Sequence, residues 1–276
     1  MKIKFILTVK TLLIMGSFAL LTACNRTEQT TDTSSIANDD ATAENAFYDM
    51  KIASDNAGTD INQNNLREKG FTDTSCVTIQ NVNYNKDTKQ GILTLDFGTT
   101  NCTCKDGKQR RGKIQVEYKG GKEVVGTSVV YIADQYFVND YGVSGKKTVT
   151  YSAPLTWNIK VEDGIVTKPD GTKVTWESDR VRKMVAGQTT LVDYTDDTYE
   201  ITGTSNGVNA EGNKYAFSTE TALVKSMGCQ YIKAGKLKIE REGKKDAVVD
   251  YGDGTCDDKA TVKIGKRTKD ITLKKW

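Results

Sequence analysis

The chain is predicted to be mainly β, an antiparallel hairpin-rich sheet or sandwich with an internal duplication, preceded by one short N-terminal helix. Three observations carry this reading. First, apolar and polar residues alternate from Cys76 onward. Leu93, Leu95 and Phe97 alternate with Thr94 and Asp96, Ile114, Val116 and Tyr118 with Gln115 and Glu117, and Leu237 and Ile239 with Lys238 and Glu240. A period of two gives one buried face and one wet face. Second, Gly follows Asp or Asn between the runs ("KDGK", "VEDG", "KPDGT", "SNG"), and such pairs supply the positive-φ positions of tight turns. With 24 glycines and two prolines, the chain suits a meander of hairpins. Third, "DFGTTNC" at 96–102 returns as "DYGDGTC" at 250–256. Each copy follows a cysteine and two alternating runs, so related units are expected near 76–118 and 229–273.

The N-terminus reads differently. Lys2, Lys4 and Lys10 precede the uncharged apolar run "TLLIMGSFALL", which is too short for a stable membrane span and has the form of an export signal. It ends in "LTAC", which resembles a bacterial lipobox. The resemblance implies a signal peptide over 1–23, cleavage after Ala23, and lipidation of Cys24 with diacylglyceryl and a palmitate-type acyl chain. Each buried methylene of such chains adds about 0.8 kcal/mol to membrane affinity. The full chain carries 39 basic and 36 acidic residues, a formal +3. Removing the signal removes three lysines and no acid, so the mature chain is neutral and its charge gives no reason to expect a nucleic-acid partner.

Residues 24–38 are polar, rich in Thr and Ser, and read as a flexible tether. Residues 39–57 read as the short helix. Asp39, Asp40 or Thr42 would cap it, Ala43, Ala46, Phe47 and Met50 would share a face, and Gly58 would stop it. A linker at 58–70 leads to a β domain at 71–276. Eight acids against two bases in 24–63 and the basic C-terminal stretch "KIGKRTKDITLKKW" read as solvated faces, with attraction of the basic end to anionic headgroups as the alternative.

The cysteines suit an oxidising compartment. The simplest pairing is Cys76 with Cys102 and Cys229 with Cys256, one staple per unit, which leaves Cys104 unpaired. Cys104 could instead replace Cys102, so the connectivity stays open. Thiolate zinc is disfavoured, because the chain has no His and no CxxC pair. Asp250, Asp253, Asp257 and Asp258 form an acid-rich stretch with calcium as its weaker reading; the sister copy lacks the equivalent acids, which favours Asx turns with Gly252 and Gly254 at unusual φ. No cofactor is expected.

Without His there is no Ser–His or Cys–His nucleophile, and no phosphate-cradling or hydrolase motif is present. "SGKK" at 144–147 reads as a turn. Tyr131, Tyr136, Phe137, Tyr141, Trp157 and Trp176 read as core, with sugar stacking as the alternative. Arg180, Arg182 and Lys183 read as a solvated strand edge, with an anionic-ligand patch as the alternative.

The whole mature chain resembles uncharacterised lipoproteins of the Bacteroidota, flavobacterium-like ones in particular. The resemblance rests on "LTACN", the helix after a polar tether, "LDFGTTNCTCKDGKQRRGKIQVEY", "KPDGTKVTWESDRVRKMVAG", "LVKSMGCQYIKAGKLKIE" and "VVDYGDGTCDDKATVKI". It implies location and fold type and carries no catalytic residue. The expectation is a lipid-anchored outer-membrane lipoprotein with a non-enzymatic binding or structural role and a protein or polysaccharide partner. The alternatives are an envelope carbohydrate hydrolase working through paired carboxylates and a calcium-stabilised adhesive module. Surface-exposed lipoproteins of that phylum often carry an acidic export signal just after the Cys. Here "NRTEQTT" holds only Glu28, which leaves the periplasmic face and the cell surface both open.

Overall fold

Nearly every alternating run after Cys76 becomes a strand, and the strands pair in sequence order. The computed structural model describes residues 21–57, 76–121, 124–190 and 195–273. The export signal up to residue 20 and the expected linker at 58–70 lie outside the described residues, as do the side chains of Ala23 and Cys24. The strands are β1 (Thr78–Asn81), β2 (Gln90–Asp96), β3 (Cys102–Thr103), β4 (Gln109–Lys119), β5 (Ser128–Val138), β6 (Tyr141–Ala153) and β7 (Thr156–Thr167). They continue as β8 (Lys173–Ala186), β9 (Thr198–Val208), β10 (Lys214–Ser226), β11 (Ala234–Arg241), β12 (Ala247–Asp253), β13 (Lys259–Ile264) and β14 (Arg267–Thr272). All belong to one antiparallel sheet without a crossover, with β1 and β14 at its edges and the short β3 paired only to β4. Of the two expected arrangements, the single sheet is the one formed.

A single sheet buries one face only if something covers it. The cover is helix α1 (Leu21–Asn56). Thr33, Ile36, Asp40, Ala43, Phe47, Met50, Ser54 and Ala57 are buried, at steps of three and four that keep them in one stripe. Asp39, Ala46, Asp49 and Ala53 are buried beside them. The helix touches Arg110 on β4 through Asp49 and Arg241 on β11 through Thr33. One helix can reach both only if the sheet curls around it. The expected tether at 24–38 and the helix start at residue 39 are therefore corrected. Asp39 and Asp40 look like caps in sequence, yet they lie inside the helix and face the sheet. No helix among the described residues is long and apolar enough to cross a membrane.

Register shifts interrupt most central strand pairs, including β4–β5, β5–β6, β6–β7 and β7–β8. Such bulges add twist and bend a sheet, which suits curling. Gly112 sits at the β4–β5 shift with φ +85°, and a Cβ there would lie 1.9 Å from the Gln135 carbonyl oxygen. Gly112→Val should therefore cost more than about 2 kcal/mol through combined strain and overlap. A thermal melt would show it, and an unchanged melting temperature would remove this role for the glycine. Two expected turns move. "VEDG" and "SNG" lie inside β7 and β9, and Asp163 (φ +54°) forms the β7 bulge. The β5–β6 hairpin turns instead on Asn139 and Asp140, both at positive φ, the pattern of a type I′ turn.

The two related units lie at opposite edges of the sheet, as β1–β2–β4 and β11–β12–β13. Asp96 lies between Thr78 and Lys113, and Asp250 between Lys236 and Thr261. Each aspartate pairs with its lysine neighbour, at 3.1 and 2.9 Å. Each also accepts a hydrogen bond from the glycine two residues on, Gly98 at 2.9 Å and Gly252 at 3.0 Å. The repeated frame is a strand-end corner.

Candidate functional site

The cysteine pairs staple those corners. Cys76 and Cys102 are at disulfide distance with Cα atoms 5.6 Å apart, and Cys229 and Cys256 have Cα atoms 5.8 Å apart. Cys104 is buried outside both pairs, its Sγ directed at the Cys102 carbonyl at 3.8 Å. Removing both Cys229 and Cys256 as serines should cost about 3 kcal/mol, since the closed loop spans 27 residues. Denaturant midpoints with and without reductant measure this. A wild-type midpoint insensitive to reductant would show that the staple does not stabilise the fold.

The acidic corner is occupied by its own backbone. Asp250 binds Gly252 N–H, Asp253 accepts from Thr255 N–H and Oγ1 at 3.1 and 2.8 Å, and Asp257 accepts from Lys259 N–H at 3.0 Å. Gly252 and Gly254 take φ +93° and +106°. These bonds hold Asp250 and Asp253 below the usual carboxylate range, Asp250 chiefly through Lys236 and Asp253 through Thr255. Among the described residues no three His, Cys, Asp or Glu groups converge as a metal site.

The chemistry concentrates instead between helix and sheet, and sequence reasoning missed it. Asp49 on α1 is fully buried and accepts four charged or hydroxyl donors. Arg110 donates through Nε at 3.0 Å and Nη2 at 2.8 Å, Lys108 Nζ at 2.8 Å and Tyr136 OH at 2.6 Å. Burial pushes the Asp49 carboxyl up, but Arg110 and Lys108 outweigh it and hold the group below its ordinary value. Arg110 also grips Asp106 with two bonds, at 2.8 and 2.6 Å. About two and a half helical turns toward the N-terminus, Asp40 accepts from Trp176 Nε1 at 2.6 Å, Ser205 Oγ at 2.7 Å and Arg180 Nη2 at 3.3 Å. There burial wins, and the Asp40 carboxyl is raised despite Arg180. Glu44 takes the other side of Arg180, at 3.0 Å. Asp39 binds Lys168 and the Ala210 N–H. Asp39, Asp40, Glu44 and Asp49 of the acidic run in 24–63 thus meet cations of the sheet, which corrects their reading as a solvated face.

Lys147 is buried on β6 with its Nζ donating to the Phe47 carbonyl at 3.1 Å and lying 5.3 Å from the Tyr48 ring. Burial pushes this lysine down to about 7, Glu44 opposes the shift, and Arg182 and Lys51 add to it. "SGKK" is therefore part of a strand, with Ser144 exposed and Lys147 inside. The arginine pair also needs correction. β8 is a central strand between β7 and β9, so Arg180 and Arg182 face the helix and no sheet edge. Of the predicted aromatics, Tyr131, Tyr136 and Trp176 are buried, with Trp176 stacked on Phe47 at 5.7 Å. Trp157 is half-buried and lies beside Tyr151 and Tyr199, at 5.9 and 6.3 Å. The missed signal was the helical spacing of polar residues. Asp40, Ser54 and Thr33 continue the apolar stripe, but polar residues in a stripe are discounted when no partner is visible.

Comparison with protein-family models, with curated proteins and with solved structures found no match to this chain.

Proposed function

We propose that the protein is a lipid-anchored outer-membrane lipoprotein whose sheet serves a non-enzymatic binding or structural role. The observation that supports this most directly is the pairing of a Cys-terminated apolar N-terminal run with two cysteine pairs at disulfide distance in a mainly β domain. The interior acids support a non-enzymatic role, since Asp39, Asp40 and Asp49 are held by fixed cationic partners. α1 adds a consequence. Nine residue steps of helix lead from Cys24 to Thr33, about 14 Å. An anchored domain would stand close to the lipid, on a helical stem.

Metabolic labelling with an alkyne analogue of palmitate tests the anchor. The wild-type chain should incorporate label, and Cys24→Ser should lose it. Label retained by Cys24→Ser would overturn the assignment of that residue. Protease treatment of intact and lysed cells then separates a periplasmic position from exposure at the cell surface.

A further inference from the structure

Arg180 and Arg182 lie two positions apart on the same face of β8, yet the structure treats them differently. Arg180 is held by Asp40 and Glu44. Arg182 has no carboxylate against it among the described residues. Its contacts are the rings of Trp157 at 5.2 Å and Tyr199 at 4.7 Å. Its Nε is buried without an acceptor, as is that of Arg180, and the side chain as a whole is half-buried. The site is built by the sheet register. Tyr151 on β6 pairs with Trp157 on β7, Trp157 with Arg182 on β8, and Arg182 with Ile201 on β9. Tyr199 follows one step along the same face, opposite Met184. Tyr151, Trp157 and Tyr199 are all half-buried.

We propose that Arg182 is the anion-binding group of a small ligand site at this end of the helix-facing side of the sheet. Its ligand would be an acidic sugar, with a carboxylate or phosphate oxyanion carried on the ring. A guanidinium presents its nitrogens in a planar fork that matches two coplanar oxygens. Contact with the two rings already restricts the side chain, so less side-chain freedom is lost on binding. They also exclude water from the Nε side, which strengthens the attraction. The half-buried rims of Tyr151, Trp157 and Tyr199 offer apolar surface to the CH face of a sugar. A purely structural arginine in this position would be expected to have acceptors for its terminal nitrogens, as Arg180 has in Asp40 and Glu44. The proposal deepens the binding role given above and rests on that role, not on the lipid anchor.

The test is calorimetric titration of the processed full chain in detergent with glucuronate, glucose 6-phosphate and glucose. At least one charged sugar should bind saturably, with glucose weaker by about tenfold or more. Glucuronate alone would assign a carboxylate, glucose 6-phosphate alone a phosphate, and both the shared oxyanion. Arg182→Gln and Arg182→Met should each lose binding about tenfold or more while keeping the wild-type near-ultraviolet circular dichroism. Two variants are used because Met can pack against the rings if Gln does not fold. The proposal is overturned if neither charged sugar saturates, if glucose binds equally well, or if either folded variant binds like wild type. Palmitate labelling of the same preparation keeps the readings apart: labelled protein that retains envelope polysaccharide independently of Arg182 keeps the binding role and removes this site.

Discussion

Asp49→Ala is expected to lower unfolding stability by on the order of 3–5 kcal/mol, the largest single effect in the molecule. The carboxylate is the shared acceptor of Arg110, Lys108 and Tyr136. Without it, a guanidinium that is 1% exposed keeps only the Asp106 side of its contacts. The same bond ties the C-terminal half of α1 to β4 and β5, so its loss loosens the cover of the sheet. Urea midpoints measure the change. Asp49→Leu combined with Arg110→Met should recover much of the loss, because it removes both buried charges. A single-variant loss below about 1 kcal/mol would mean that the network is incidental. The pH dependence carries a sign. Asp49 sits below its ordinary value, so its contribution is present above the unfolded pKa and is lost as pH falls through the folded one. Asp40, which is raised, acts in the opposite sense: its contribution is present at low pH and is lost as pH rises through its folded pKa.

Lys147→Met should raise stability at neutral and mildly acidic pH by about 2–4 kcal/mol. Burial moves this lysine from 10.5 to about 7. Between those values the unfolded chain holds a proton that the folded chain has released, so wild-type stability rises with pH across that window. The methionine variant should lack that rise, and the two proteins should converge toward the alkaline end. Urea midpoints near pH 6 and near pH 9 give both readings. A variant less stable than wild type near pH 6 would show that the contacts of the ammonium with the Phe47 carbonyl and the Tyr48 ring outweigh its desolvation.

The sheet was legible in the residue pattern. Alternation at Leu93–Phe97, Ile114–Tyr118 and Leu237–Ile239 is a local property of each strand, because successive side chains point to opposite faces whatever lies beyond them. The cysteine staples and the Asp–Gly corners at Asp96 and Asp250 were legible for the same reason, since spacing and turn chemistry act within a few residues or within one repeat. The tertiary structure alone decided where α1 begins, which way β8 faces and what the acids do. Asp39 and Asp40 carry the signature of helix caps, and only Lys168, Arg180, Ser205 and Trp176, all more than 100 positions away, make them interior residues. Arg182 has the same composition and spacing as a solvated edge residue. Its character comes from Trp157 and Tyr199, which the register of the adjoining strands places beside it. A buried charge is tolerated only with a partner, and when that partner lies on a distant strand the pairing exists only once the sheet has packed against the helix.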